Sequence, residues 1–253
     1  MGIDRIREAN ELSRKTPFLA VIIGDSLGMP RYEVGIKANE IYFYLLQTHW
    51  HEKFGQVIVW PLIRKGARLQ DLIVEFQEYF LPYFGPKTID VCIVHSGIVD
   101  CAPRPLPFLL RVSLSRVHPW LRSKVAHFLH RNRINLSRIG WSFRVTSPNK
   151  FNKLYSNFIQ LLSLHCGRIY CINIPPALEA TYQHSPRLKD SIDIYNGIIS
   201  RVSSEIDGVK VIDVYGKFQQ DTKYYVTQDL HITKEAHRWI YQQIVEYQTM
   251  MRE

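Results

Sequence analysis

The chain alternates between short apolar runs and longer segments in which apolar residues recur every three or four positions. The short runs are rich in β-branched residues, which is typical of strands buried on both faces of a sheet. We predict strands at 18–23, 57–60, 89–94, 169–174 and 209–214. The longer segments predict amphipathic helices, marked by apolar residues at 42–54, 69–80, 154–162, 192–206 and 236–247.

Strands that alternate with helices predict a parallel sheet with right-handed crossover connections. The fold class that follows is α/β, a three-layer α/β/α sandwich around a five-stranded, flavodoxin-like parallel sheet. Two helix starts are also marked, since Ser147 before Pro148 is a typical N-cap pair and Thr233 is suited to cap the last helix. With 253 residues, of which 46% are apolar, we predict one domain over residues 1–253.

The segment from Cys101 to about Pro148 interrupts this alternation, because it is too long for a strand-to-helix loop. No Asp or Glu occurs from Cys101 through Leu178, whereas twelve Lys and Arg residues do. This excess is larger than the net charge of the whole chain, +9. Leu and aromatic residues are interleaved with the basic ones, so we predict a basic, amphipathic helical insertion at about 101–148.

Three interpretations of this insertion remain open. It is a helical cap with a solvated basic face, a basic wall that attracts an anionic ligand such as an acidic glycan, or an attachment to an anionic membrane surface. Nucleic acid is an unlikely partner, because the sequence carries no recognisable reader motif and basicity alone is nonspecific.

Composition limits the setting in which the protein works. No run of 18 or more apolar residues is present, and the start of the chain is charged rather than apolar, so we expect neither a spanning helix nor a secretory signal. The four cysteines lack the spacing of a metal site. We therefore expect reduced thiols, no metal, no cofactor, and a cytoplasmic location, free or peripheral to the membrane.

Candidate chemistry lies where the first predicted strand ends. The apolar run reaches Gly24, and Asp25, Ser26, Leu27 and Gly28 follow it. Ligands bind at the carboxyl ends of parallel strands, and a serine there becomes a nucleophile if a base reaches it. The alternative is a turn in which Asp25 and Ser26 satisfy backbone groups. His231, just before the last predicted helix, is suited to act as a general base.

Taken together, these two segments resemble the SGNH, or GDSL, hydrolase family. Two further blocks of that family lie between them in the right order: one at 64–67, which holds Gly66, and one at 94–100. The resemblance covers nearly the whole chain. It implies a serine esterase in which Ser26 attacks, His231 takes its proton, and the backbone N–H groups of Ser26 and Gly66 form the oxyanion hole.

The chain departs from the family pattern at two positions. Val99 stands where the family has an asparagine that donates into the oxyanion hole, and valine cannot donate. Asn173, near the end of the fourth predicted strand, is a candidate replacement, or else a strand-end residue that caps a loop. Gln228 stands where the family has its acid, so we name the neighbouring Asp229 as the candidate that orients His231.

We predict a serine esterase that cleaves small acyl esters, most plausibly acetyl, on a small molecule or glycan. The carbohydrate follows from the resemblance and from the basic insertion. Two alternatives remain: an O-acyltransferase that uses the same Ser26–His231 pair, and a non-catalytic glycan-binding or scaffold module on the same fold. Asp25 and Asp100 are expected to brace loops, and His95 and Ser96 are weaker candidates for a donor role.

Overall fold

The computed structural model describes residues 16–104, 117–132 and 143–250, together with positions 106, 110, 113 and 135. Five parallel strands form one sheet in the order β2-β1-β3-β4-β5. Their bounds are Phe18–Gly24 (β1), Val57–Ile63 (β2), Ile89–His95 (β3), Cys166–Ile172 (β4) and Val209–Ile212 (β5). This is the flavodoxin-like strand order, so the predicted fold class is confirmed.

Ten helices are described in residues 16–250. In chain order they are Tyr42–Phe54 (α1), Leu69–Glu75 (α2), Ile98–Cys101 (α3), Pro119–Arg131 (α4), Pro148–His165 (α5), Glu179–His184 (α6), Leu188–Ser204 (α7), Val214–Phe218 (α8), Thr222–Tyr225 (α9) and Lys234–Met250 (α10). A π-helical turn at Phe76–Phe80 prolongs α2. As predicted, the Ser147 side chain caps α5 by accepting the N–H of Lys150, and Pro148 follows it.

Three strands depart from the prediction: β4 runs from Cys166 to Ile172 rather than over 169–174, and β2 and β5 end at other residues, each for a local reason. β2 continues past Trp60 to Ile63, because it is an edge strand. Proline has no backbone N–H, and at the edge of the sheet Pro61 has no neighbouring strand that would need one. β5 ends at Ile212, because the Asp213 side chain accepts the N–H of Gly216 and starts α8.

Two hydrophobic cores lie on opposite faces of the sheet, as a three-layer sandwich requires. Leu19, Val21 and Ile23 of β1 face the core formed with α2, α5 and α7. The alternate residues, Phe18, Ala20 and Ile22, face the core formed with α1 and α10. Every residue of β1 is buried, which explains why its sequence is continuously apolar.

Only part of the predicted basic insertion is described. Its one described helix is α4, while most of residues 105–116 and 133–142 lie outside the described residues. The prediction for the segment as a whole therefore stays a prediction. Among the described helices, none combines the length and the apolar character that crossing a membrane requires.

Candidate active site

Ser26 is carried to the carboxyl edge of the sheet by the end of β1. A side chain at Gly24 would bring a Cβ to 2.9 Å from the carbonyl oxygen of His95, so this position needs glycine. The N–H of Asp25 donates to that same oxygen at 3.2 Å. The Asp25 carboxylate accepts the N–H of Leu27 at 3.0 Å and caps the short 3-10 turn that begins at Ser26. Asp25 thus braces the turn, as expected.

His231 is presented by a tight hairpin just before α10. Val226 pairs with Ile232, and the N–H of Thr227 donates to the carbonyl of His231 at 2.8 Å. Leu230, inside the hairpin, has a left-handed φ of 71°, a conformation that leucine rarely adopts. Thr233 then caps α10, since its Oγ1 accepts the N–H of Ala236 at 3.3 Å. The histidine is therefore fixed from both sides.

The structure brings Ser26 and His231 together across 205 positions of sequence, with 3.1 Å between Oγ and Nε2. On the other side of the ring, Nδ1 lies 3.2 Å from the carbonyl oxygen of Asp229 and 3.3 Å from its Oδ2. These two acceptors favour the tautomer with a proton on Nδ1, which leaves Nε2 free to accept the serine proton. Asp229 thus orients the ring through both its side chain and its main chain.

Arg31 holds the Asp229 carboxylate with two hydrogen bonds, at 2.9 Å from Nη1 and 2.6 Å from Nη2. The Thr227 hydroxyl also donates to this carboxylate, and Glu33 accepts from Nε of Arg31 at 2.9 Å. Partial burial alone would raise the pKa of Asp229, but Arg31, Thr227 and the nearby His231 together hold it well below its usual range. Asp229 is therefore held in its ionised form beside His231.

Sequence reasoning assigned no role to Arg31. Its backbone is fixed by two hydrogen bonds with Ile36, at 2.9 and 3.0 Å, which close a small loop around Gly35. The available signal was its position, five residues after Ser26 in the same motif. Its partner Asp229 lies 198 positions away, and no local pattern links the two.

A cavity of about 410 Å³ opens beside Ser26 and His231. One wall is apolar and is formed by Leu27, Ile98, Val99, Ala102, Pro103, Leu188 and Leu230. Lys65, Arg104, Thr181 and Gln228 add polar groups to the lining. The volume suits a small ligand, with both apolar and hydrogen-bonding surface next to the serine hydroxyl.

Ser26 and Gly66 line this cavity on the side of β2. Gly66 has a left-handed φ of 70°, and a Cβ there would meet no atom within 4 Å, so its conformation rather than space explains the glycine. In the described part of the chain, the N–H groups of Ser26 and Gly66 donate to no protein acceptor. Both are thus available to a negatively charged oxygen in the cavity.

No family model and no curated protein matches the chain. Solved structures do match. The lipase/acylhydrolase of Enterococcus faecalis aligns with a TM-score of 0.60 at 14% identity, over 91% of this chain and 94% of that one. A member of the lipolytic protein G-D-S-L family from Veillonella parvula aligns with a TM-score of 0.57 at 12% identity, over 90% and 97%.

The chain has the fold of the G-D-S-L lipolytic hydrolases. An acetyl xylan esterase from Geobacillus stearothermophilus shares it, with a TM-score of 0.56 at 13% identity over 90% of this chain and 94% of that one. Identities this low establish the common fold alone. The predicted resemblance is confirmed at that level, and the chemistry has to be argued from the site of this chain.

Val99 lines the cavity at the position where the hydrolase family has its asparagine. It is only partly buried and packs against the core on the side of α2, α5 and α7. At this position the chain therefore presents an apolar surface and not the amide donor that an asparagine would supply.

Asn173 does not replace the missing donor, and our oxyanion-hole prediction for it is not supported. It is 3% exposed and is not among the described residues that line the cavity. Its amide donates to Asp213 at 2.7 Å, and its Oδ1 accepts the N–H of Tyr215 at 3.0 Å. Both groups of the side chain are thus used to fasten the start of α8 to the end of β4, which is the loop-capping alternative.

Asp100 has the bracing role expected of it. Its carboxylate accepts the N–H of Leu69 at 2.9 Å and the hydroxyl of Thr146, and so it ties the start of α2 to the segment before α5. His95 and Ser96 lie buried and are not among the described residues that line the cavity. Burial lowers the pKa of His95 to about 3, so its ring is neutral.

Within the described ranges, no three His, Cys, Asp or Glu side chains come together as a group that could hold an ion. The chemistry predicted for Ser26, His231 and Asp229 needs no such ion.

Proposed function

We propose that the chain is a serine esterase in which Ser26 is the nucleophile and His231 the general base. The observation that carries this proposal is the distance of 3.1 Å from Ser26 Oγ to His231 Nε2, with the opposite ring nitrogen held by Asp229. A nucleophile, a base and an orienting group in this order are the arrangement that activates a serine.

In the first half of the reaction, Ser26 Oγ attacks the acyl carbonyl while Nε2 of His231 takes its proton. The tetrahedral intermediate then collapses, and the protonated imidazole gives that proton to the departing alcohol oxygen. In the second half, water attacks the acyl-enzyme, gives its proton to Nε2, and Ser26 leaves with the proton returned to it. The net reaction consumes one ester and one water and releases one acid and one alcohol.

The negative oxygen of each intermediate would be bound by the N–H groups of Ser26 and Gly66, which the protein leaves without acceptors in the described part of the chain. Loss of one oxyanion donor typically costs on the order of a hundredfold in turnover. Because Val99 cannot supply the third donor, we expect an esterase of modest rate rather than an inactive protein.

Asp229 keeps the His231 ring in place and compensates the positive charge that forms on it. This role is supported by its two contacts with Nδ1 and by its ionised state beside Arg31. It performs the function that the family gives to the position of Gln228.

The substrate we propose is a small acyl ester, most plausibly an acetyl ester on a carbohydrate. Three structures with the same fold bear the name acetyl xylan esterase, and the cavity of about 410 Å³ has room for an acyl group and part of a sugar. The polar groups of Lys65, Arg104, Thr181 and Gln228 in its lining are suited to hydroxyl groups of a sugar.

Hydrolysis of a set of esters tests this function. We expect the protein to cleave 4-nitrophenyl acetate and acetylated xylo-oligosaccharides, and to lose at least a thousandfold in kcat after Ser26→Ala or His231→Ala. Ser204→Ala and His51→Ala, exposed residues that do not line the cavity, are the matched controls and should keep full activity. A folded protein whose two site variants hydrolyse the esters as fast as the wild type would refute the proposal.

A further inference from the structure

Helix α4, Pro119–Arg131, has an exposed surface that the proposed esterase chemistry does not use. Trp120 is 61% exposed and Phe128 60% exposed, which is unusual for two large aromatic side chains on one short helix. At about 100° per residue, Trp120, Lys124, His127, Phe128 and Arg131 share an arc of about 100°. We name these five residues the basic aromatic face of α4.

The basic aromatic face is turned to solvent. Lys124, His127 and Arg131 are exposed together with the two aromatic residues. Within the described part of the chain, no other helix or strand packs extensively against α4. The Lys124 Nζ lies 4.1 Å from the centre of the Trp120 ring, so a cation and an aromatic surface are presented side by side.

The charge of the surrounding sequence is one-sided. From Cys101 through Leu178 no Asp or Glu occurs, and α4 itself contributes Arg122, Lys124 and Arg131. No acidic residue that is near in sequence therefore compensates the positive charge of this face. A second copy of the chain would bring the same positive charge to the contact, which disfavours self-association through it.

The exposed apolar residues of α4 indicate which kind of anionic partner this helix fits. Leu121, which is 43% exposed, lies on the same side of the helix as Phe128, two turns before it. A soluble polyanion gains nothing from an exposed leucine, whereas the boundary between lipid headgroups and acyl chains takes up Leu, Phe and Trp together. Basic residues beside them are attracted to the negative headgroups of the same surface.

We propose that the basic aromatic face of α4 docks the protein on a membrane surface that contains anionic phospholipid. The helix lies in the plane of the interface, with Trp120 and Phe128 entering the headgroup boundary and Lys124 and Arg131 beside the lipid phosphates. This docking does not depend on the esterase chemistry, so either proposal can fail without the other.

Vesicle co-sedimentation tests this docking. The purified full chain is mixed with vesicles of phosphatidylcholine alone or with about one third phosphatidylglycerol, at about 0.15 M salt. We expect the protein to sediment with the anionic vesicles and to stay in solution with the neutral ones. Light scattering of the same samples without vesicles reports self-association.

Two double variants separate the aromatic and the charge contributions. Lys124→Gln with Arg131→Gln should weaken binding about 25-fold, since each basic residue near such a surface contributes about fivefold. Trp120→Ser with Phe128→Ser should weaken it about tenfold or more. All four positions are on the surface of one helix, and circular dichroism checks that each variant is folded.

Matched controls remove basic or aromatic side chains at exposed positions outside α4. Lys189→Gln with Lys223→Gln removes two exposed lysines, and Tyr79→Ser with Tyr83→Ser removes two aromatic residues that are 66% and 74% exposed. Both controls should bind as the wild type does.

Several results would overturn the docking proposal. Equal binding to neutral vesicles, or none to either kind, would do so. So would wild-type binding by the Trp120 and Phe128 variant, since the face would then be a general polyanion site. Self-association lost in that variant, with no vesicle binding, would assign the face to a second copy of the chain.

Discussion

Substitution of Arg31 is the most specific test of how the site is held together, because Arg31 contacts neither Ser26 nor His231. Its guanidinium is 14% exposed and forms two charge-assisted hydrogen bonds with the Asp229 carboxylate, at 2.9 and 2.6 Å. It is not among the described residues that line the cavity. Arg31→Ala should therefore reduce kcat and leave KM nearly unchanged.

The magnitude follows from the exposure of the pair and from what remains after the change. The Asp229 side chain is 50% exposed, so water replaces part of what Arg31 supplies, and we expect the bidentate pair to contribute about 1 to 2 kcal/mol. His231 Nδ1 keeps the Asp229 carbonyl oxygen at 3.2 Å as a second acceptor. We therefore expect a loss of about tenfold in kcat, or about 1.4 kcal/mol, rather than the far larger loss of a misoriented base.

Steady-state hydrolysis of 4-nitrophenyl acetate measures this effect, with three comparisons. Arg31→Ala in the Asp229→Ala background should cost almost nothing further, because Arg31 acts through Asp229. Added guanidinium ion should restore part of the activity of Arg31→Ala alone. Arg201→Ala, which loses an ion pair with Glu205 elsewhere on the surface, should match the wild type.

The reasoning would be refuted by multiplicative losses in the double variant, or by a rise in KM with kcat unchanged. The first would mean that Arg31 acts independently of Asp229, and the second would mean that it binds substrate.

Three further predictions concern single positions. Val99→Asn puts back a donor where the cavity lacks one, and should raise kcat about tenfold or more; an unchanged kcat would show that this corner is not near the oxyanion. Leu230→Gly relieves a φ of 71° but removes a side chain that packs against the core, so the two effects should offset each other to within about 1 kcal/mol in urea denaturation, whereas a much larger loss of stability would contradict the strain argument. Burial raises the pKa of Asp25 from 3.8 to about 7, so the folded state favours the neutral acid. The stability that the neutral Asp25 side chain contributes to the folded state is complete below pH 3.8. This stability is lost as the pH rises towards 7, by up to about 1.4 kcal/mol per pH unit. Asp25→Asn should therefore gain stability relative to the wild type as the pH rises from 3.8 to about 7 and gain no more above that, and parallel curves would exclude this effect.

The sheet was predictable because β1 is central and buried on both faces, which leaves an unbroken apolar run in the sequence. The exact ends of the strands at the sheet edge and at helix caps were not predictable from the sequence. The extension of β2 through Pro61 depends on the position of β2 at the edge of the sheet. The end of β5 depends on Asp213, whose side chain caps helix α8. Both are set by neighbours in space rather than by the pattern along the chain.

The candidate site was predictable in its two main members and less so in their supports. Ser26 and His231 were named from motifs, and the structure brings them together. Asp229 was an open choice, because its contact with His231 depends on the left-handed Leu230 between them, which the residue type disfavours. The prediction of Asn173 as an oxyanion donor failed for a related reason. A polar residue at the end of a strand can face either the cavity or a neighbouring helix, and the Asn173 amide donates to Asp213 at the start of helix α8.

Labelling with a fluorophosphonate tests the central claim most directly, because it reports an activated serine without knowledge of the natural ester. Intact mass and peptide mapping should show one adduct, on Ser26, that is absent after Ser26→Ala or His231→Ala. A folded wild-type protein that takes up no label, or that is labelled equally without His231, would contradict the proposed serine chemistry.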